Sequence, residues 1–232
     1  MKKSIFLIVF SITTAFVGAQ EDKYYFGVSY GKSFPLGDFA ANDINNPDAG
    51  FAESGNKLDV YAGSVLSKSV TFTLTFRYQN FDTDMDKLLN SLEATDQEVV
   101  FTSSSDSWKT YYLLAGIEHK VNISKKFSLF PRVGLGPMLV SNPQFSITAT
   151  NENANIGVNR SSETGLGLGY EFGIGFKRDL GGNFSLMPTF TFSGGFVTIS
   201  DVDTTVDNVS TTANYKANIF TFNLGLSLAY KF

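Results

Sequence analysis

Residues 220–232 alternate without a break, and no other stretch of the chain limits its fold so tightly. Phe220, Phe222, Leu224, Leu226, Leu228, Tyr230 and Phe232 fall on one face of an extended strand. Thr221, Asn223, Gly225, Ser227, Ala229 and Lys231 fall on the other. A continuous apolar face thirteen residues long suits hydrocarbon, and the small polar face opposite suits the inside of a narrow closed sheet. In lipid every backbone amide must be paired within the protein, so strands cross only when the sheet closes on itself.

Composition agrees with strands and excludes helices as the spanning element. The 232 residues are 43% hydrophobic and 15% aromatic, with 23 Phe, 10 Tyr and 21 Gly. Yet the mean hydropathy is only -0.01, because alternating strands cancel in any averaging window. The amino terminus has Lys2 and Lys3 before an apolar run over 5–16, and Val17-Gly18-Ala19 resembles a cleavage site. That run is shorter than the ~20 residues of a spanning helix. The expected organisation is therefore a signal peptide over 1–19 and one domain over 20–232. With no cysteine in the chain, lipidated cysteine, disulfides and thiol chemistry are excluded. Without Lys2 and Lys3, 16 basic residues face 22 acidic ones, and this net negative balance argues against nucleic acid as a partner.

Read with a period of two, the chain predicts eight strands, over 23–34, 57–66, 70–81, 108–120, 127–140, 165–178, 184–199 and 215–232. The connections sort by length: 67–69, 121–126 and 179–183 are short, whereas 37–56, 82–107, 141–164 and 200–214 are long and polar. An outer-membrane barrel has short periplasmic turns and long extracellular loops, so this sorting predicts an up-and-down barrel with both termini periplasmic. A soluble β-sandwich alternates too, but its outer face carries charged and hydroxylated residues. Strand six instead sets Gly165, Gly167, Gly169, Glu171, Gly173 and Gly175 opposite large apolar residues. Glycine weakens a solvent-exposed strand and leaves room inside a barrel. Phe127-Ser128-Leu129-Phe130-Pro131 recurs as Phe184-Ser185-Leu186-Met187-Pro188, and each proline is expected to sit at a bulge.

The strand pattern together with the terminal Ala229-Tyr230-Lys231-Phe232 resembles the small outer-membrane barrels of the OmpA transmembrane domain, OmpX and Ail type, including the porin-like barrels of Bacteroidota. The resemblance covers 23–232 and rests on architecture, with no catalytic motif. It implies that Tyr230 and Phe232 serve as an assembly signal read by the barrel insertion machinery, with periplasmic chaperones as earlier partners. It implies outer membrane lipid and lipopolysaccharide around the folded protein, and no cofactor.

Inward positions carry the sharpest candidate site. Asp59 lies opposite Arg77 around the first short turn, Glu118 lies opposite Arg132 around the second, and Glu171 faces the same interior near Arg132. Opposite charges on one face of paired strands predict a network that closes the lumen, and the alternative is a wet path for ions or a hydrophobic solute. Asp82, Asp84, Asp86 and Glu93 have the spacing of an EF-hand calcium loop, but Lys87 stands where that loop needs glycine. A solvated acidic loop is the expectation. An enzyme is not expected, because the lone His119 ends the fourth strand beside a short turn, far from the rim where acyl transfer on lipid would occur. Asp82, Asp84, Asp86, Glu93, Asp96, Glu98 and Asp106 make the second long loop acidic, and Asp201, Asp203 and Asp207 the fourth. Val99-Val100-Phe101 and Phe145-Ser146-Ile147 suggest that the second and third loops continue as strands beyond the membrane. The expected role is envelope integrity or surface interaction with an unidentified host or surface ligand.

The alternation at the carboxy terminus generates the first test. Deleting Phe232, or replacing it with Asp, should lower the amount of heat-modifiable, membrane-inserted protein and leave aggregation-prone chain in the periplasm. Normal levels of inserted protein from the truncated chain would contradict the terminal-signal reading.

Overall fold

The computed structural model describes residues 24–93, 99–124, 127–150 and 155–232. The signal segment over 1–19, together with Asp96 and Glu98, lies outside the described residues. Twelve strands form one antiparallel sheet: β1 (Tyr24–Pro35), β2 (Gly55–Val65), β3 (Val70–Phe81), β4 (Val100–Ser105), β5 (Trp108–His119), β6 (Val121–Asn122), β7 (Phe127–Ser141), β8 (Phe145–Thr150), β9 (Asn155–Arg160), β10 (Thr164–Gly181), β11 (Phe184–Val206) and β12 (Val209–Lys231). One helix, α1 (Met85–Glu93), interrupts the second long connection.

The sheet closes on itself. From β1 the pairing runs through β2, β3, β5, β7, β10, β11 and β12 and returns to β1. The closure between β12 and β1 extends over eleven residue pairs, from Tyr25 with Lys231 to Pro35 with Thr221. Along the strands of this circuit buried inward positions alternate with exposed outward ones, and the outward ones are mostly apolar. Phe26, Val28 and Tyr30 on β1, Phe72, Leu74 and Phe76 on β3, and Leu166, Leu168 and Phe172 on β10 all face out and are more than two-fifths exposed. A water-soluble monomer rarely leaves a continuous apolar band of this extent uncovered.

Inward glycines make room for rings from the strands beside them. Tyr25 lies opposite Gly63 and Tyr61 lies opposite Gly27. A Cβ at either glycine would fall inside the facing ring. The two tyrosines pack edge to face with centroids 5.9 Å apart. Gly169 on β10 does the same for Tyr112 on β5, beyond β7 in the sheet, whose ring carbons lie 2.6 and 2.9 Å from where a Cβ would stand.

The structure departs from the sequence reading in three places. Four additional short strands occur within the connections, so twelve strands stand where eight are expected among the described residues. Three of them, β4, β8 and β9, pair in a row and attach to the far end of β11 as a side sheet. Second, the segment 200–214 is not a loop: β11 and β12 stay paired up to Val206 and Val209, past a bulge between Ile199 and Val202. The hairpin turns on Asp207 and Asn208, both at positive φ (46° and 69°), a geometry that matches the twist of the flanking strands. Third, Pro131 and Pro188 sit at no bulge. The β5–β7 ladder stops at Arg132 and resumes in the same register at Leu129 through β6, while β7 keeps pairing with β10 at Pro131 itself. Pro188 leaves a similar gap on β10 and remains paired with Leu226 on β12. A missing N–H deletes a rung on one side, and the long ladders on either side of it preserve the register.

Candidate functional site

The interior is filled in layers, and the middle one carries charge. Asp59 on β2 faces Arg77 on β3 in register. The Arg77 guanidinium donates from Nε to Asp59 Oδ1 at 2.7 Å and from Nη2 to Asp59 Oδ2 at 3.0 Å, a bidentate pairing. Lys57, two residues before Asp59 on the same face, donates to Asp59 Oδ2 at 2.8 Å. Arg77 also contacts Glu171 on β10, from which it is separated by β5 and β7 in the sheet. Glu171 in turn receives Arg132 Nη2 at 2.6 Å, and Arg132 Nη1 stands 3.5 Å from Glu118. The Tyr25 hydroxyl donates to Glu118 Oε2 at 2.7 Å and ends the chain.

The result is one continuous series: Lys57, Asp59, Arg77, Glu171, Arg132, Glu118, Tyr25. Three cations meet three carboxylates, and all six side chains are at least nine-tenths buried. The structure thus brings together Asp59, Arg77, Glu118, Arg132 and Glu171, the five residues singled out by strand parity. It adds Lys57 and Tyr25, which sequence reading passes over. Lys57 carries the same period-two signal as Asp59, whereas Tyr25 reaches Glu118 across the lumen from β1 to β5 and leaves no local signature.

Toward the long connections the next layer is neutral. Gln79 donates to Ser33 Oγ and to Asn223 Oδ1, both at 2.7 Å, and Ser33 donates to Asn223 Oδ1 at 2.6 Å. Asn223 donates to Ser193 Oγ at 2.8 Å, so β1, β3, β11 and β12 are tied across the interior. Above it lies an apolar cap. The connection after β1 turns back and inserts Phe39 against Phe81 (centroids 5.0 Å apart) and Trp108 (5.5 Å). Trp108 Nε1 donates to the Gly50 carbonyl at 2.9 Å, which holds that connection over the opening. At the other end Tyr25, Tyr61, Phe130, Met187 and Ala229 pack together beneath the charges. Charged, neutral polar and apolar layers thus succeed one another along the centre of the ring.

The acidic segment is organised as a helix start. Asp84 Oδ1 accepts from the Lys87 amide at 3.1 Å, the position of an N-cap, and its other oxygen pairs with Lys87 Nζ at 2.6 Å. Asp82 accepts from the Ser107 hydroxyl at 2.7 Å. Asp82 and Asp84 are thus engaged separately, Asp86 is exposed, the Glu93 side chain lies outside what the structure describes, and no group of three acidic or histidine side chains converges among the described residues. His119 is exposed at the short-turn end of β5, in register with Val70. Tyr230 and Phe232 lie on the outer surface at that same end, with rings 6.4 Å apart, and the Phe232 amide donates to the Tyr24 carbonyl at 3.0 Å.

No protein-family model and no curated protein sequence matches the chain. Among solved structures it is similar to Neisserial surface protein A, with 13% identity over 90% of this chain and 97% of that one and a TM-score of 0.44. It is similar to a major outer membrane protein from Thermus thermophilus, with 16% identity over 90% and 99% and a TM-score of 0.48. A third is Ail, the attachment invasion locus protein of Yersinia pestis, at 13% identity over 91% and 100% with a TM-score of 0.42. These neighbours are outer membrane β-barrel proteins. The barrel architecture of this chain stands on its own closed pairing circuit and apolar exterior.

Arg77 bridges carboxylates on two strands that are not neighbours, Asp59 on β2 and Glu171 on β10. Arg77→Met should destabilise the refolded protein by ~3–5 kcal/mol, since it leaves Asp59 and Glu171 without their shared cation. Glu118→Gln combined with Arg132→Met should cost less than Arg132→Met alone, because fewer unpaired carboxylates remain. Urea unfolding followed by the fluorescence of Trp108, the single tryptophan, measures both. Equal, small losses for all of these variants would contradict a paired interior.

Proposed function

We propose that residues 20–232 form an eight-stranded up-and-down barrel in the bacterial outer membrane, exported by the signal peptide over 1–19. Its short turns and both termini lie in the periplasm, and its long connections, helix α1 and the side sheet lie at the cell surface. The protein serves envelope integrity or surface interaction, as a closed barrel and not as an enzyme. Lipid and lipopolysaccharide surround its apolar exterior, and the surface ligand is a partner for its exposed connections.

The observation that carries this reading is the unbroken series of buried ion pairs across the lumen, capped on either side by packed apolar side chains. Eight strands enclose a space only wide enough for side chains to fill, which supports reading the paired charges as a closure. The rest of the molecule supports the same division of labour. The circuit strands run eleven residues or more, enough for the ~9–11 that a tilted strand needs to cross hydrocarbon. The opposite end is rich in exposed polar surface: Asp82, Asp86, Asp106, Asp201, Asp203 and Asp207 are all solvent-facing there. Such a surface suits contact with cationic groups or a partner chain more than passage through the protein.

Planar-bilayer recording of the refolded mature chain separates this role from that of a small pore or hydrophobic-solute conduit. The closed reading predicts little or no steady ion current from the wild type. A large, steady, reproducible conductance would overturn it in favour of the conduit.

A further inference from the structure

We propose that the outward face of β1, β2, β3 and β5 seats one molecule of a phosphorylated glycolipid, the membrane-embedded part of lipopolysaccharide, with its phosphate groups on Lys32 and Lys109. The site rests on the outer-membrane placement proposed above and gives one lipid a defined position on the wall. Lys32 pairs with Asn56, Asn56 with Asn80, and Asn80 with Lys109. All four side chains point away from the lumen, because the residues beside them in sequence, Ser33, Lys57, Gln79 and Thr110, are buried within it. They form one polar stripe across four neighbouring strands, with a cation at each end and two amides between. Neighbouring strands stand ~4.8 Å apart, so the two lysines are separated by roughly 14 Å along the sheet.

The wall on the short-turn side of the stripe is apolar. Its next outward row is Tyr30, Leu58, Tyr78 and Tyr111, and the row after that is Val28, Val60, Phe76 and Leu113. Tyr78 and Tyr111 pack with ring centroids 5.1 Å apart, and the Tyr30 hydroxyl donates to Asn56 Oδ1 at 3.3 Å. Rings with an apolar body and a polar tip mark the headgroup level of a bilayer. At β1 the wall turns apolar again beyond the stripe, where Phe34 and Phe222 stack across the seam with β12 at 6.3 Å. Lys32 therefore stands between apolar side chains along its own strand, with Leu224 facing it from β12. Among the described residues neither Lys32 nor Lys109 forms an ion pair within the protein. A cation facing lipid takes its counter-charge from outside the fold. A second copy of the chain supplies none at this level, since Asp59, Glu118 and Glu171 all point into the lumen. A phosphorylated sugar head with acyl chains matches every part of the face together. Its phosphates accept from the two ammonium groups, its sugar hydroxyls meet the asparagine amides, and its chains cover the tyrosine and valine rows.

Native mass spectrometry reads the complex. The refolded mature chain is inserted into phosphatidylcholine nanodiscs containing a small fraction of diphosphorylated lipid A, then released and weighed. One retained lipid A per chain is expected, with severalfold less retention of the same lipid stripped of its phosphates. Lys32→Met combined with Lys109→Met should lower retention at least severalfold. Lys216→Met, which alters an exposed lysine of β12 outside the stripe, should leave it unchanged. Normal insertion with no retained lipid A would overturn the site and leave the barrel reading standing, as would retention indifferent to the phosphates or to both lysines. Chain pairs weighed in place of a lipid complex would overturn it in favour of an interface between copies. A chain that fails to insert would overturn the site together with the reading on which it rests.

Discussion

Charges placed inside a ring of strands must find one another, because the space that confines them is too narrow to hydrate them. Taking a carboxylate or guanidinium out of water costs several kcal/mol per ion, and only close, well-directed pairing offsets that cost. Asp59, Glu118 and Glu171 meet Lys57, Arg77 and Arg132 in equal number, and each carboxylate touches at least one cation. The glycines follow from the same confinement: the rings of Tyr25, Tyr61 and Tyr112 lie where a Cβ at Gly63, Gly27 and Gly169 would stand. Closure of the backbone ladder and closure of the lumen are thus linked. The circuit that pairs every strand also fixes an interior small enough to be filled by what those strands point inward.

This arrangement separates the molecule by function along its length. Its middle holds ion pairs in a low-dielectric space with a neutral hydrogen-bonded layer beside them. The end with long connections is built differently. There β11 and β12 continue past a bulge, β9, β8 and β4 add to their edge, and helix α1 starts on the Asp84 cap. Phe39, inserted against Phe81 and Trp108, seals the junction between the two regions. Variation in the outer region is therefore compatible with an unchanged interior.

Much of this was legible in the sequence, for a definite reason. Side-chain parity in a strand is strict, so a short turn sets register, and register places Asp59 against Arg77 and Glu118 against Arg132. Contacts across the lumen escape the same logic. Arg77 reaches Glu171 over two intervening strands, and Tyr25 reaches Glu118 likewise, because curvature brings them together and no local pattern encodes curvature. The hairpin at Asp207 and Asn208 was hidden by composition: its Thr, Ser and Asp residues suggest a loop, although the alternating Val202, Thr204 and Val206 before a two-residue turn signal strands. The prolines mislead in the opposite sense. Each deletes a rung, and ladders longer than ten residues hold their register across the gap.

The central claim is that the buried charges form one coupled unit and not three separate pairs. A double-mutant cycle between its two ends, Asp59→Asn and Glu118→Gln, tests it most directly, since these residues are joined through Arg77, Glu171 and Arg132. Urea unfolding of the refolded wild type, both single variants and the double variant yields the coupling energy. The account predicts non-additivity of at least ~0.5 kcal/mol, the range seen for residues within one network. Additivity within ~0.3 kcal/mol, the behaviour of independent sites, would contradict it.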